Sequence, residues 1–305
     1  MRSARDWKTF YRREREELGP EGLQRLLDEA EPFAQPASAM IFPHTRLASS
    51  GALVAAAALM VIRSGVHEVL ALGVLHGARV SEDERLRRAH EGDQDALVDL
   101  RRIHGPGAPL DGGFVEDAFS LDGFIALLDA AAKRERRRAP RVFARYPLFA
   151  GASPESLPGF DELARLQDSG AGLVATGDML HHGPAFGTPD ADCLDEASVS
   201  KFARGAIVEM VGRLVAGEYA EHERRAVELR SDFRDAGPTF AALLRRWGRP
   251  KPQIVDLRVA DYADVLGGAS PSWVAGALVS FAYHRGSPPS QASNGPSSQR
   301  GSYNF

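Results

Sequence analysis

The sequence predicts an α/β protein: a single domain in which helices flank a central sheet that is mostly parallel or mixed. The first apolar strand, "SAMIFPH", is followed by the helix pattern "SSGALVAAAALMVIRSG" and then by a second strand, "HEVLALGVLHG". This strand–helix–strand order is typical of a parallel α/β unit. The second strand is apolar almost without interruption, as strands buried on both faces of a sheet tend to be. A chain of 305 residues with 44% hydrophobic content is long enough for one large α/β domain or two small ones.

Three regions are expected along the chain. Residues 1–33 read as a charged amphipathic helical extension, in which Leu23, Leu26 and Leu27 share one face. Residues 34–285 form the α/β domain, and the Pro/Ser/Gly-rich residues 286–305 predict a disordered tail. The apolar stripe of the extension must be buried, either on its own domain or on a second subunit, so a homodimer is one possible arrangement.

The elements after the second strand continue the alternation of helices and strands. Residues 80–117 are polar and predict irregular structure with a loop at "HGPGAPLDGG". A helix over "SLDGFIALLDAAAKRERRR", a strand over "RVFARYPLFAG", a helix within "SPESLPGFDELARLQDSG" and a strand over "AGLVATGD" follow in that order. The last third predicts three helices, "DEASVSKFARGAIVEMVGRLVAGE", "YAEHERRAVELRSDF" and "PTFAALLRRWG", and two strands, "PQIVDLRVADYA" and "SWVAGALVSFAYH".

Composition argues against several classes of function. The single cysteine, Cys193, excludes an internal disulfide and a multi-cysteine metal cluster. A net charge of -4 provides no general attraction to nucleic acid or to acidic membranes, and the basic run from Lys133 to Arg141 fits the solvated end of a helix. The apolar run "SSGALVAAAALMVI" is too short and too rich in alanine for a membrane span, and the N-terminus carries charges where a signal peptide is apolar. We therefore expect a cytoplasmic protein with no nucleic-acid or membrane partner.

Polar residues follow three of the apolar strands directly. His44 comes after "AMIFP", His76 after "VLALGVL", and Asp178, His181 and His182 after "GLVATG". A single histidine at a strand end is more often an ordinary loop residue. Because the carboxyl ends of parallel strands lie along one edge of a sheet, however, these three positions can converge in space. Imidazole is the commonest metal ligand and a natural general base near neutral pH, so the set predicts a metal or acid–base site.

Five segments, taken in order, resemble the motifs of the Memo family, which is similar in fold to the class III extradiol ring-cleavage dioxygenases. They are "FPHTRLASSGALVAAA", "LALGVLHG", "FSLDGFIALL" with "FARYPLFAG", "ATGDMLHHGPAF" and "SWVAGALVSF". Together they span roughly residues 38–282. The resemblance implies a divergent member of the family with the same fold.

The resemblance also implies roles for individual residues. His44 and His76 match the two metal-ligand histidines of the family, and His181 matches the acid–base histidine of the dioxygenases, with Asp178 three residues before it. His182 falls where the family often has an aromatic residue, and we expect it to line the same pocket.

The third metal position of the family departs from its pattern here. The family has Cys or Glu there, whereas the matching segment "SDFRDAGP" has neither. Asp235 is our expected ligand, Asp232 is an alternative, and Arg234 pointing into the site would leave no metal. The Glu-His pair that the family carries before the middle helix is replaced by Ala118 and Phe119.

The leading hypothesis is a non-haem Fe(II) oxidoreductase, similar to a dioxygenase, that uses O2 and a small aromatic substrate of the catechol type. The metal could instead be copper or zinc, or be absent. In the mechanism that the resemblance implies, His44, His76 and Asp235 hold the metal, and His181, oriented by Asp178, transfers a proton. Two alternatives remain open: a non-catalytic binding or scaffold protein with an incomplete metal site, and a hydrolase that uses Asp178 and His181.

Overall fold

The chain forms one α/β fold built on a mixed sheet. The computed structural model describes residues 4–76, 80–107, 115, 118–248, 251–268 and 271–282. Within these residues, eight strands form the sheet and ten α-helices accompany it. The predicted α/β class with a central mixed sheet is therefore confirmed. The tail at residues 286–305, expected to be disordered, lies outside the described residues.

The bounds of the elements follow the apolar segments of the sequence closely in most places. The strands are β1 (Ala39–Phe42), β2 (Glu68–Leu72), β3 (Arg102–His104), β4 (Arg141–Leu148), β5 (Gly172–Thr176), β6 (Leu180–His182), β7 (Lys251–Asp261) and β8 (Trp273–Ala282). The helices are α1 (Ala4–Ala30), α2 (Leu47–Ser64), α3 (Val80–His90), α4 (Gln94–Leu100), α5 (Asp122–Arg134), α6 (Phe160–Asp168), α7 (Glu196–Ala216), α8 (Tyr219–Glu228), α9 (Ala236–Arg246) and α10 (Ala263–Leu266).

The sheet has a parallel centre and antiparallel edges. Its order is β3-β4-β2-β5-β1-β8-β6, and β7 pairs with β8 in addition. The four strands β4, β2, β5 and β1 run parallel to one another. β8 is antiparallel to β1, to β6 and to β7, and β3 is antiparallel to β4. The carboxyl ends of β2, β5 and β1 therefore lie side by side at one edge.

Alternate side chains of the central strands enter two separate cores. In β1, Ala39 and Ile41 face the core beneath α6, α7 and α9, whereas Met40 and Phe42 face the core beneath α1, α2 and α5. All four of these side chains are fully buried. Burial on both faces explains why the strand is apolar without alternation.

The N-terminal helix packs on its own domain. Leu26 and Leu27 of α1 are buried in the same core as α2. The two helices approach closely at Gly51, where an added Cβ would lie 2.8 Å from Cδ1 of Leu26. The α2 helix is long and apolar enough to cross a membrane by length and composition alone, but 72% of that stretch is buried inside the fold. The apolar stripe predicted on the N-terminal helix is thus covered within one chain.

The expectation of irregular structure over residues 80–117 is wrong for most of the part that the structure describes. Two helices, α3 and α4, and the short strand β3 occupy residues 80–104. The carboxylate of Asp93 caps α4 by accepting a hydrogen bond from the backbone N–H of Ala96 at 3.0 Å. The helices α3 and α4 contribute to a small cluster around Leu100 and Leu148, whereas Ile103 of β3 is buried in the larger core. Because few residues of the two helices are apolar, their helical period is weak in the sequence.

Candidate metal centre

Three strand ends place their polar residues in one pocket. His44 lies two residues after β1, Asp178 two residues after β5, and His76 four residues after β2. Because β5 is the neighbour of both β1 and β2 and runs parallel to them, the three chain segments leave the sheet side by side. Their side chains, with His181, line a pocket of about 550 Å³. The convergence predicted from the strand ends therefore exists.

The innermost group of this pocket consists of two imidazoles and one carboxylate that converge on one point. Nε2 of His44 lies 2.9 Å from Nε2 of His76. Oδ2 of Asp232 lies 3.2 Å from Nε2 of His44 and 3.3 Å from Nε2 of His76. Metal–ligand bonds of about 2.0–2.2 Å place neighbouring donor atoms roughly 2.8–3.6 Å apart. The three atoms therefore have the spacing of ligands to a single metal ion.

Asp232 is held by the loop between α8 and α9. Its Oδ1 accepts a hydrogen bond of 2.7 Å from the backbone N–H of Asp178, which leaves Oδ2 for the histidines. Next to it, the Ser231 hydroxyl donates to the carbonyl oxygen of Asp178 at 2.8 Å. The two hydrogen bonds thus attach the loop to the N–H and to the carbonyl oxygen of Asp178, just after β5. This attachment fixes the carboxylate before any metal binds.

Asp235, the expected third ligand, makes a different contact. Its Oδ1 accepts a hydrogen bond of 2.7 Å from the backbone N–H of Ala150, and it belongs to neither of the two groups of candidate ligands found among the described residues. Burial raises the pKa of Asp235, an effect that the adjacent Arg234 opposes. Of the alternatives that the sequence leaves open, the geometry favours Asp232.

The electrostatics of the group favour a cation at its centre. Burial alone would lower the pKa of His44, but the charges of Asp232 and Asp178 outweigh burial and raise it to about 9. Burial also raises the pKa of Asp178, to about 6. The pKa of Asp232 is held well below its usual value because His44 and His76 outweigh the effect of its burial. The carboxylates of Asp232 and Asp178 therefore favour a positive charge on or beside His44.

The outer ring nitrogens of the two histidines differ from the usual pattern of metal ligands. Nδ1 of His44 and Nδ1 of His76 are buried and have no hydrogen-bond partner among the described residues. Packing holds the rings instead. The two imidazoles meet edge to face with their ring centroids 4.7 Å apart, and the centroid of the Phe119 ring lies 4.9 Å from that of His76. Phe119 stands where the resemblance predicts a polar residue, and it supplies this packing contact.

His181 is oriented by a backbone carbonyl. Its Nδ1 lies 2.6 Å from the carbonyl oxygen of Arg230, and since a carbonyl can only accept, Nδ1 carries the proton. Nε2 is then an acceptor. The ligand atoms of His181, Asp178 and Asp232 lie within 4.8 Å of one another. His181 is thus well placed as a base, but Arg230 sets its tautomer, in place of the expected Asp178.

His182 points away from this pocket. It follows His181 on β6, and successive side chains of a strand face opposite sides. Its Nε2 accepts a hydrogen bond from the backbone N–H of Leu194 at 3.2 Å, and it is not among the described residues that line the pocket. The structure therefore places His182 outside the pocket that we expected it to line.

Aromatic residues that the sequence did not single out complete the wall of the pocket. Trp7 and Tyr11 come from α1, and the Tyr11 ring stacks on Phe119 at 5.1 Å. Tyr262 lies on the same wall, and its hydroxyl accepts a hydrogen bond from the backbone N–H of Arg46 at 2.5 Å. The signal in the sequence was "WKTFY", an aromatic cluster in an otherwise charged helix. The N-terminal helix is thus part of the site.

Two comparisons with known proteins found no match. No protein-family model matches the chain, and no curated protein matches it. The function must therefore be argued from the residues and their geometry.

Proposed function

We propose that this protein is a non-haem metal-dependent oxidoreductase that binds Fe(II) through His44, His76 and Asp232. Its substrates would be O2 and a small aromatic molecule of the catechol type. The observation that carries the proposal is the triangle of donor atoms, with edges of 2.9, 3.2 and 3.3 Å, at the inner end of an aromatic pocket.

The donor set supports iron over the other candidate metals. Two imidazoles and one carboxylate on one side of an ion, with open positions opposite, are typical of non-haem Fe(II) oxygenases. His44, His76 and Asp232 line a pocket that has the volume for a small ligand, at about 550 Å³. Copper and zinc can bind the same atoms, so metal content has to be measured. Cys193, the single thiol of the chain, is not in the group.

The residues around the triangle have separate tasks in the proposed reaction. When bound, the metal would lower the pKa of a substrate hydroxyl and hold the reactants together. Nε2 of His181 can accept the proton that this hydroxyl loses, because its Nδ1 is already committed as a donor to Arg230. The rings of Trp7, Tyr11 and Phe186 line the pocket and would contact the apolar part of the substrate.

The resemblance to the Memo family and to the extradiol dioxygenases supports the same proposal. His44 and His76 are the motif histidines, and Asp232 stands in the segment that matches the third metal position. The substrate class and the use of O2 rest on this resemblance, whereas the ligand set rests on the geometry.

Two other hypotheses have less support from the described residues. A hydrolase would need Asp178 to orient His181, but His181 donates to the carbonyl of Arg230 instead. The scaffold hypothesis depends on the lack of a third ligand, and the group that Asp232 forms with His44 and His76 weighs against it. We therefore retain the oxidoreductase as the single proposal.

Anaerobic reconstitution with Fe(II) tests it directly. We expect about one iron per chain, measured by elemental analysis after removal of unbound metal, and loss of that iron in His44→Ala and His76→Ala. His182→Ala, whose side chain lies outside the pocket, is the matched control and should keep its iron. Oxygen uptake with a panel of catechols then tests the reaction. A wild-type protein that holds no metal after loading with iron, copper or zinc would overturn the proposal.

A further inference from the structure

One oxygen of the Asp178 carboxylate is buried without a partner. Only 3% of the residue is exposed, and its Oδ1 has no hydrogen-bond partner among the described residues. Its Oδ2 lies 3.7 Å from Nε2 of His44, which is beyond hydrogen-bond distance. A buried carboxylate oxygen without a donor or a cation costs free energy, so such a group indicates a ligand that the site is shaped to receive. The triangle of His44, His76 and Asp232 does not use this side chain.

The imidazole of His181 has the arrangement that is usual for a metal ligand. Its Nδ1 donates to the carbonyl oxygen of Arg230 at 2.6 Å, so the lone pair of Nε2 is free. Histidines that bind a metal almost always donate their other ring N–H to a carbonyl, a carboxylate or water, which fixes the ring and makes it more basic. Nδ1 of His44 and Nδ1 of His76 have no such partner among the described residues. By this criterion His181 is better prepared for a metal ion than either histidine of the triangle.

Asp232 connects these two side chains to the triangle. The ligand atoms of Asp178, His181 and Asp232 lie within 4.8 Å of one another, and all three residues line the pocket. With bonds of about 2.0–2.2 Å, opposite ligands of one ion are roughly 4.0–4.4 Å apart, so small side-chain rotations bring the set to ligand spacing. Because Asp232 belongs to both groups, the second position lies next to the first. In two-metal sites the ions are about 3.5–4 Å apart, which fits such neighbours.

We propose that a second divalent cation binds between Asp178, His181 and Asp232, so that the pocket holds two ions with Asp232 shared between them. The inference rests on the proposed function for the first ion, which His44 and His76 bind. An imidazole with two carboxylates suits a transition-metal ion such as Zn²⁺. The second ion should bind more weakly, because the first already offsets the negative charges of Asp178 and Asp232. While it is bound, Nε2 of His181 cannot accept a proton, so excess metal opposes the role proposed for this histidine as a base.

Zinc binding to the metal-free protein tests the inference without using the reaction. Equilibrium dialysis against buffered Zn²⁺, followed by elemental analysis, gives the number of ions per chain at each free concentration. We expect about two ions per wild-type chain, with the second bound about tenfold or more weakly than the first. Asp178→Asn and His181→Gln should keep the first ion and weaken the binding of the second by at least about tenfold.

Three controls separate the second site from the first, from zinc on the surface and from loss of structure. His182→Ala, whose side chain lies outside the pocket, should bind both ions as the wild type does. His44→Ala should lose the tighter of the two ions. Far-UV circular dichroism shows whether each variant is folded, and since Asp178 and His181 lie on different segments of the chain, one folded variant is sufficient.

The number of ions also separates this inference from the proposed function. A single ion per wild-type chain would overturn the inference and leave the proposed function intact, whereas no ion at all would overturn both. A second ion that keeps its affinity in a folded Asp178→Asn or His181→Gln variant would also overturn the inference. Loss of both ions in either folded variant would assign its side chain to the first site, against the inference.

Discussion

The backbone N–H of Asp178 donates a hydrogen bond of 2.7 Å to Oδ1 of Asp232. This contact joins the end of a central strand to a loop that lies 54 residues further along the chain. One oxygen of Asp232 is thereby used to hold the loop, and the other faces both histidines at 3.2 and 3.3 Å. The proposed role of Asp232 as a metal ligand thus depends on which of its oxygens accepts the hydrogen bond from the Asp178 N–H.

Asp232→Asn should weaken metal binding while keeping this attachment. The amide oxygen of Asn can still accept from the Asp178 N–H, but the group that faces His44 and His76 loses its negative charge. We expect the affinity for Fe(II) to fall by at least about 10- to 100-fold, the loss that changes outside the ligand set already cause. The metal-free protein should also be less stable at neutral pH, because the charge of Asp232 interacts favourably with His44 and His76 in the fold. Titration with Fe(II) under anaerobic conditions measures the affinity.

Asp235→Asn is the matched control for that variant. It changes the other aspartate of the segment in the same way and preserves an acceptor for the Ala150 N–H. Its iron content should equal that of the wild type. Iron lost from Asp235→Asn and kept by Asp232→Asn would instead identify Asp235 as the ligand.

Gly276→Ala should disturb the site through the neighbouring strand. An added Cβ at this position would lie 2.5 Å from Cβ of Pro43 and 3.1 Å from Oδ1 of Asp178. Since Pro43 precedes His44, the proposed metal ligand would have to shift. We expect a loss of about 1–3 kcal/mol in the free energy of unfolding, together with weaker iron binding, measured by urea denaturation and by titration.

Gly212→Ala provides the comparison for Gly276→Ala. Gly212 lies inside α7, and an added Cβ there meets nothing within 4 Å. Alanine in a helix should raise the free energy of unfolding by about 0.5–1 kcal/mol and leave iron binding unchanged. A Gly276→Ala protein as stable as Gly212→Ala would show that the close contact at Pro43 is absent.

Tyr11 should connect the N-terminal helix to the metal site through Phe119. Tyr11→Ala removes the stack on Phe119 and should lower the free energy of unfolding by roughly 1–3 kcal/mol. Tyr11→Phe keeps the ring and should lower it by under about 1 kcal/mol. A double-mutant cycle with Phe119→Ala measures the coupling, which we expect at about 0.5–1.5 kcal/mol. A coupling of zero would mean that α1 does not pack on this wall.

The part of the site that could be predicted from the sequence is the part carried by strands. Continuous apolar runs identify β1, β2 and β5, and the first polar residues after them include His44, His76 and Asp178. A parallel sheet then brings these residues to one edge, because its geometry leaves few alternatives.

The choice between Asp232 and Asp235 could not be made in this way. Both lie in a loop between two helices, where no apolar period indicates which side chain faces inward. The deciding feature is the hydrogen bond from the backbone N–H of Asp178 to Asp232, which depends on a tertiary contact. The strand β6 could not be predicted from the sequence for a similar reason. Three residues are too few to show an alternating period, and pairing with β8 defines the strand.

His222 should make stability depend on pH independently of the metal site. It is fully buried in α8, neither ring nitrogen has a hydrogen-bond partner among the described residues, and burial, aided by the charge of Arg213, lowers its pKa to about 4. An unfolded histidine has a pKa of about 6.5, so between pH 6.5 and 4 the unfolded state binds more protons than the native state. The free energy of unfolding should therefore be unaffected by this histidine above pH 6.5 and should decline as the pH falls below that value, by at most about 3 kcal/mol.

His222→Leu should lose less stability than the wild type between pH 7 and pH 5 in urea denaturation. The exposed His67→Leu variant should follow the wild type, and a His222→Leu protein with the same pH dependence as the wild type would contradict the prediction.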